Sequence, residues 1–203
     1  MPPGKVAVRD LIIIDGEGKK LEGAGEPNGE TSMHTSIYKA RPDVQSILHY
    51  HADELIAVAA SGHGIKVLSN AGVHFYRGTP IYDSPLLIRN HQLGDKVAAT
   101  LGDRSAVLLR GHGGTVVAKN LDQLVRRGLD LVREVEAGVQ RGRGSASIRT
   151  KFQVVALLFG KLEENLFAFG ILEPLAVLLE ESVRSALAAD PDLVGLAIVD
   201  SGH

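Results

Sequence analysis

Two apolar runs in this chain end in histidine, and they constrain the fold more than any other feature. The first is Val44-Gln-Ser-Ile-Leu-His49-Tyr-His51, which turns directly into an apparent helix; the second is Ala106-Val-Leu-Leu-Arg-Gly-His112-Gly-Gly. On a strand, residues i and i+2 project from the same face. His49 and His51 can therefore reach one ion, and the exit of a neighbouring strand can deliver His112 as a third imidazole. Three histidines leave a coordination position free, which is what separates a catalytic zinc site from a closed structural one. A lone histidine at a strand end is ordinarily only a hydrogen-bonded residue; a pair plus a third at a matching exit points to metal.

Composition narrows the rest. At 203 residues the chain can bury a core as one large α/β domain or two small ones. Net charge is −2 with no basic block, so no footprint for nucleic acid or an anionic membrane is present. Cysteine is absent, which removes disulfides and thiolate chemistry and leaves nitrogen and oxygen as metal donors. The start, Met-Pro-Pro-Gly-Lys-Val, has no apolar signal core, and the run Val154 to Phe159 is too short for a bilayer. A cytoplasmic protein acting on a small molecule is expected, without nucleic-acid or membrane partners.

Periodicity predicts alternating strands and helices. Val6 to Ile14 reads as strand, with Asp15-Gly16-Glu-Gly18 closing a hairpin. A helix is expected from Glu30-Thr31 to Ala40, ended by Pro42. Strand Val44 to His49 follows, then helix Ala52 to Ala60. Short strands are expected at Ile65 to Leu68 and Val73 to Tyr76. Ser84-Pro85 carries an N-cap and N1 signature for a helix reaching Leu101-Gly102. Strands Ala106 to Leu109 and Thr115 to Ala118 flank the His112 turn. Asn120 is expected to cap a long helix to about Gln140, and Glu173-Pro174 to open a last one to Ala189. The fold class is α/β, a three-layer α/β/α sandwich around a central mixed, largely antiparallel sheet. The domain division is 1–145 for the histidine-bearing unit and 146–203 for a helical tail.

A carboxylate beside three metal-bound histidines can be a fourth ligand, a general base, or each in turn. Glu30 is the best placed, after the glycine-rich loop 23–29 and one helical turn before His34; the alternative is that it only completes a helix N-terminus. Asp53 and Glu54 fit the first turn of helix 52–60. His63 lies in a turn, His91 mid-helix and His203 at the end, while His74 is a weaker candidate for lining a cleft. A cupin would place its acid further past the His-x-His pair and be almost all strand. An amidohydrolase barrel needs a longer chain.

The residues Pro27-Asn28-Gly29-Glu30-Thr-Ser-Met-His34-Thr-Ser-Ile-Tyr38-Lys-Ala-Arg41-Pro42-Asp43-Val, then Leu48-His49-Tyr-His51-Ala and Val107-Leu-Leu-Arg-Gly-His112-Gly, resemble the class II aldolase/adducin family over roughly residues 10 to 140. That family holds sugar-phosphate aldolases, epimerases, aromatic-acid decarboxylases and the non-enzymatic adducin head. The resemblance implies an α/β/α homotetramer with sites at subunit interfaces. It implies that His49, His51 and His112 bind a divalent ion, zinc first and manganese second, and that Glu30 is both ligand and acid/base. Asn28 and Gly29 stand at the family's substrate-binding positions. Two departures accompany it. A segment normally preceding the first strand, with a Gly-Asn loop, is not found, so a short or truncated form is expected. Asn28-Gly29 also replaces the serine pair of the phosphate cradle, which leaves backbone amides to hold an anion and disfavours a sugar phosphate. Gly78-Thr-Pro-Ile-Tyr82-Asp83 and Arg110-Gly-His112 lean toward the decarboxylase branch. The expected reaction is metal-dependent decarboxylation of a hydroxylated aromatic (di)carboxylic acid; the alternatives are ketose-phosphate cleavage and an adducin-like assembly module.

Overall fold

The computed structural model describes residues 10–142, 154–158 and 196–199, with side chains described for 10–138. The elements are β1 (Leu11–Ile14), β2 (Lys20–Glu22), α1 (Thr31–Ala40), β3 (Ser46–Tyr50), α2 (Asp53–Ala60), a 3-10 helix (Ala71–Phe75), β4 (Ile81–Tyr82), α3 (His91–Leu101), β5 (Ala106–Leu109), β6 (Gly113–Ala118), α4 (Leu121–Gly142), β7 (Val154–Leu158) and β8 (Leu196–Val199). The strands form one sheet in the order β2-β1-β8-β7-β3-β6-β5-β4. Its β4–β5 pairing is parallel and the other pairings among the described strands are antiparallel. The mixed, largely antiparallel sheet expected from the sequence is what forms.

Alternation along the strands divides the core. One face of β3, β5 and β6 presents Ile47, Val107, Leu109 and Val117 to Met33 and Ile37 of α1 and Val97 and Leu101 of α3. The other presents Leu48, Tyr50, Leu108 and Val116 to Leu55 of α2 and Leu124, Leu131 and Val135 of α4. Helices thus cover both faces, giving three layers. α1 and α3 pack closely enough that a Cβ on Gly94 would lie 2.5 Å from the Ser32 carbonyl oxygen. Ser36 Oγ donates to Asp95 Oδ1 at 2.7 Å and Ser32 Oγ to the Ile88 carbonyl at 3.0 Å, so the position of α1 is tied to α3 and its leading loop.

Several expectations need correction. The helix expected from Ser84-Pro85 starts at His91, which is therefore its first residue and not mid-helix. Asn90 is the cap, its side chain accepting from Leu93 N at 2.9 Å. Ser84 Oγ instead accepts from Leu86 N two residues on, a local turn that satisfies the serine without a helix. Residues 65–68 form no strand, and Ala71–Phe75 is 3-10 helix. The reason is tertiary: Glu134 on α4 accepts from Leu68 N at 2.5 Å and from the Ser69 hydroxyl, pinning the segment as a loop. The hairpin at Asp15–Gly18, helices α1, α2 and α4, and strands β3, β5 and β6 form close to where expected, and Asn120 Oδ1 accepts from Gln123 N at 2.9 Å as the α4 cap. Of the strand expected from Val6, Leu11–Ile14 is formed and 6–9 lies outside the described residues. Within 146–203, β7 joins β3 and β8 joins β1, whereas the helix expected at 173–189 lies outside the described residues. Among the described residues, no helix is long and apolar enough to cross a membrane.

Candidate metal centre

β3, antiparallel to β6, and β5, antiparallel to β6 on its other side, run in the same direction and exit at the same rim of the sheet. At that rim His49 and His51 leave β3, and His112 sits in the turn between β5 and β6. The close approach is made at Gly113, where φ is +152° and a Cβ would lie 2.4 Å from the Tyr50 carbonyl oxygen; a side chain there would separate the His112 turn from β3. Glu30 arrives from the opposite layer, immediately before α1.

The four donor groups converge. His49 Nε2 lies 2.9 Å from His51 Nε2. Glu30 Oε2 is 3.3 Å from His49 Nε2 and 3.9 Å from His51 Nε2, and Glu30 Oε1 is 3.3 Å from His112 Nε2. One ligand atom from each of Glu30, His49, His51 and His112 falls within 4.8 Å of the others. His49 is buried, whereas His51 keeps 31% of its side chain exposed, so the cluster opens toward solvent on one side.

Tautomer and charge follow from the surroundings. His49 Nδ1 lies 3.1 Å from both the Gly114 carbonyl oxygen and Thr115 Oγ1. A carbonyl can only accept, so the proton belongs on Nδ1 and the Nε2 lone pair faces the cluster. Burial works to raise the Glu30 carboxyl, but the nearby imidazoles of His112 and His49 outweigh it and hold it well below the ordinary carboxylate range. His34, one turn further along α1, is fully buried; burial and the neighbouring His49 push it down to about 3, so it is neutral at physiological pH.

These residues fit a divalent cation. Glu30 Oε1 and His112 Nε2 are buried and, although 3.3 Å apart, neither has a hydrogen-bond partner of acceptable geometry. Buried polar atoms are normally paired, and a cation placed among these atoms would pair both. A carboxylate oxygen and imidazole nitrogens form a donor set suited to zinc or manganese.

The remaining sequence candidates divide. Asn28 spends its side-chain oxygen locally, accepting from Glu30 N at 2.8 Å, while its carbonyl accepts from Thr31 N and Oγ1. Gly29 has nothing within 4 Å of where a Cβ would stand, so it borders open space. Asp53 and Glu54 occupy the first turn of α2, as expected of acids at a helix start. His63, His74 and His91 do not join the cluster. Sequence reasoning missed Thr115 and the Gly114 carbonyl, which orient His49. No local signal marks them, because they face His49 only through the β3–β6 register.

Comparison with known proteins identifies the family. Residues 1–137 match the family model described as class II aldolase and adducin N-terminal domain. The chain is 32% identical over 132 residues to a 3,4-dihydroxyphthalate decarboxylase of Arthrobacter keyseri, covering 60% of this chain and 53% of that one. It is 31% identical over 145 residues to the L-fuculose phosphate aldolase of Escherichia coli (strain K12), covering 69% and 63% respectively. Among solved structures, an L-fuculose 1-phosphate aldolase superposes with a TM-score of 0.63 at 20% identity, over 72% of this chain and 69% of that one, a likeness of fold. The chain spans about half the length of the curated decarboxylases it matches. A short second match, at residues 129–165, is to a model described as an actinobacterial helicase N-terminal four helix bundle, and it covers too little of the chain to define a family. By the match over residues 1–137, the chain belongs to the class II aldolase and adducin N-terminal domain family.

Proposed function

We propose that this protein is a divalent-metal-dependent carbon–carbon lyase, and that it decarboxylates a hydroxylated aromatic mono- or dicarboxylic acid. The observation that carries the reading is the convergence of Glu30, His49, His51 and His112 at one partly open rim. His49, His51 and His112 would hold the ion with Glu30 as fourth ligand, zinc being the first choice and manganese the second. Cleaving the bond between a ring carbon and its carboxylate releases CO₂ and leaves an electron pair, which an oxygen on the adjacent carbon takes up. When bound, a divalent ion supplies the positive charge that stabilises that oxygen. The lowered Glu30 carboxyl is anionic at neutral pH, the form that ligation of a cation requires. Glu30 would take the proton from the substrate hydroxyl and deliver it to the carboxylate-bearing ring carbon before CO₂ leaves, giving a ketone at the adjacent carbon; loss of CO₂ then sends the C–C bond pair onto that oxygen and restores the aromatic ring. Asn28 and Gly29, in the loop just before Glu30, are the proposed substrate contacts, through backbone amides and the open space beside Gly29.

The choice between branches rests on two supports: the dihydroxyphthalate decarboxylases among the relatives, and the lack of a serine pair before Glu30. The fuculose phosphate aldolase likeness supports ketose-phosphate cleavage as the second reading. The presence and convergence of all three histidines speak against a purely adducin-like assembly role. Homotetramer formation and a cytoplasmic location belong to the same proposal, the latter compatible with a chain lacking cysteine. A two-arm assay of metal-loaded protein tests it. One arm follows CO₂ release from hydroxylated aromatic carboxylates, and the other follows dihydroxyacetone phosphate from ketose phosphates. Turnover in the first arm alone is expected. Turnover only in the second moves the protein to the aldolase reading, and metal binding with neither activity favours assembly.

A further inference from the structure

The start of α1 brings two side chains to His49, Glu30 at the N-cap position and His34 four residues later within the helix. Glu30 reaches the His49 Nε2, and His34 stands edge-on to the His49 ring, with centroids 6.3 Å apart and planes at 77°. His49 is thereby enclosed by three imidazoles: His51 at 4.8 Å, His112 at 5.0 Å, and His34. The first two share the donor cluster; His34 does not. His34 is 1% exposed, and its Nδ1 is buried without a hydrogen-bond partner.

That combination is costly for a group with only a space-filling role. A buried polar atom left unpaired forfeits its hydration, and phenylalanine or leucine would fill such a position without the loss. Met33 and Ile37 flank His34 on the same helix and join the core beneath it, and the buried hydroxyls of Thr31, Thr35 and Ser36 on that helix all donate hydrogen bonds, whereas the His34 Nδ1 has no partner. An imidazole at this one position therefore indicates a polar use, and its described polar neighbour is the ligand set.

We propose that His34 is a positioning residue of the metal centre, bracing the His49 ring from the α1 side and keeping a hydrogen-bonding group behind the ligands. The inference rests on the metal-centre reading above. Residues that orient a metal-ligating histidine change metal affinity when removed, typically by about 10–100-fold. The Gly114 carbonyl and Thr115 hydroxyl set the tautomer of His49 from β6; His34 limits the tilt of the ring from the other layer.

The test compares wild type with His34→Phe, which keeps a ring but no nitrogen, and His34→Asn, which keeps a polar atom near the Nδ1 position. Zinc affinity is measured by competition with a chromophoric chelator. The visible spectrum of the cobalt-loaded protein reports ligand geometry, and urea unfolding of the metal-free protein monitors the fold. The expected result is that His34→Phe folds yet binds zinc about 10–100-fold more weakly with an altered cobalt spectrum, while His34→Asn recovers most of both. If His34→Phe does not fold, His34→Asn and His34→Gln decide: Asn is expected to bind more tightly than Gln, which places its amide away from the Nδ1 position. Wild-type affinity and spectrum in a folded His34→Phe, or Asn no better than Phe or Gln, would overturn the inference while leaving the metal centre intact. A wild type that binds neither zinc nor cobalt overturns both.

Discussion

Replacing Gly94 by alanine sets two effects against each other, and the α1–α3 contact decides the sign. In a helix interior, glycine costs about 1 kcal/mol relative to alanine, so propensity alone predicts that Gly94→Ala stabilises the protein. Gly94 is the fourth residue of α3, and a Cβ there would stand 2.5 Å from the Ser32 carbonyl oxygen and 2.7 Å from Ser36 Oγ. Ordinary contact needs about 3.4 Å or more, so relief at the Ser32 carbonyl, 2.5 Å away, needs a shift approaching 1 Å. The obstacle is mainly the α1 backbone, which cannot rotate away as a flexible side chain can. Overpacking of this kind costs about 1–3 kcal/mol, and the Ser36–Asp95 hydrogen bond, worth about 1 kcal/mol, is stretched as well. The net expectation is destabilisation of about 1–2 kcal/mol, or a fall in melting temperature of about 2–8 °C for a chain of this size. Because Glu30 immediately precedes α1, the same displacement should weaken zinc binding. Urea unfolding of metal-free protein and a zinc titration measure the two effects. A Gly94→Ala variant more stable than wild type would refute the close-packing argument, and lost stability with unchanged zinc affinity would refute the coupling of α1 to the centre.

Other expectations follow from the site and its supports. Zinc-loaded protein should hold close to one ion per chain by elemental analysis, and the His49→Ala/His51→Ala double variant should lose it; full stoichiometry in that variant would remove these residues from the site. Glu30→Gln should leave the fold intact and lower turnover by about 10²–10⁴-fold in whichever assay arm is active; an undiminished rate excludes Glu30 as the proton carrier. Burial and His49 push His34 down from 6.5 to about 3, so the unfolded chain binds the extra proton between those values. Stability of the metal-free protein should therefore be complete above pH 6.5 and fall as pH drops toward 3, by up to about 1.4 kcal/mol per pH unit. Urea midpoints at pH 7 and pH 5 should show a shallower loss in His34→Asn, and identical slopes would contradict the assignment. Asn90→Ala should cost about 1 kcal/mol through the lost cap of α3; a cost at Ser84→Ala instead would restore the longer helix.

Much of the site is legible along the chain because its determinants are local. The i, i+2 spacing of His49 and His51 needs only an extended strand, and the apolar run before them supplies it. The run Ala106–Leu109 announces a second strand of the same kind, and the histidine following it needs only a turn. Glu30 is recognisable because it stands at a helix start after a glycine-rich loop. The class of fold is equally readable, since alternating periods of two and near four specify strands and helices that must cover both faces of a sheet. What local pattern cannot encode is which distant atoms meet. Ser84-Pro85 reads as a helix start, yet the helix begins after Asn90, whose side chain caps it. The segment 65–76 contains apolar residues fit for strands, yet hydrogen bonds to Glu134, far along the chain, hold it in loop and 3-10 conformation. The need for glycine at 113 exists only because β6 pairs with β3. The contact of His34 with His49 is likewise a product of one layer settling on another. Dihedral preference and amphipathic period are properties of neighbours in sequence, whereas close approach, orphaned polar atoms and ring-on-ring contact are properties of neighbours in space. The four residues that converge, Glu30, His49, His51 and His112, are thus marked in the chain, and the groups around them came only with the assembled layers.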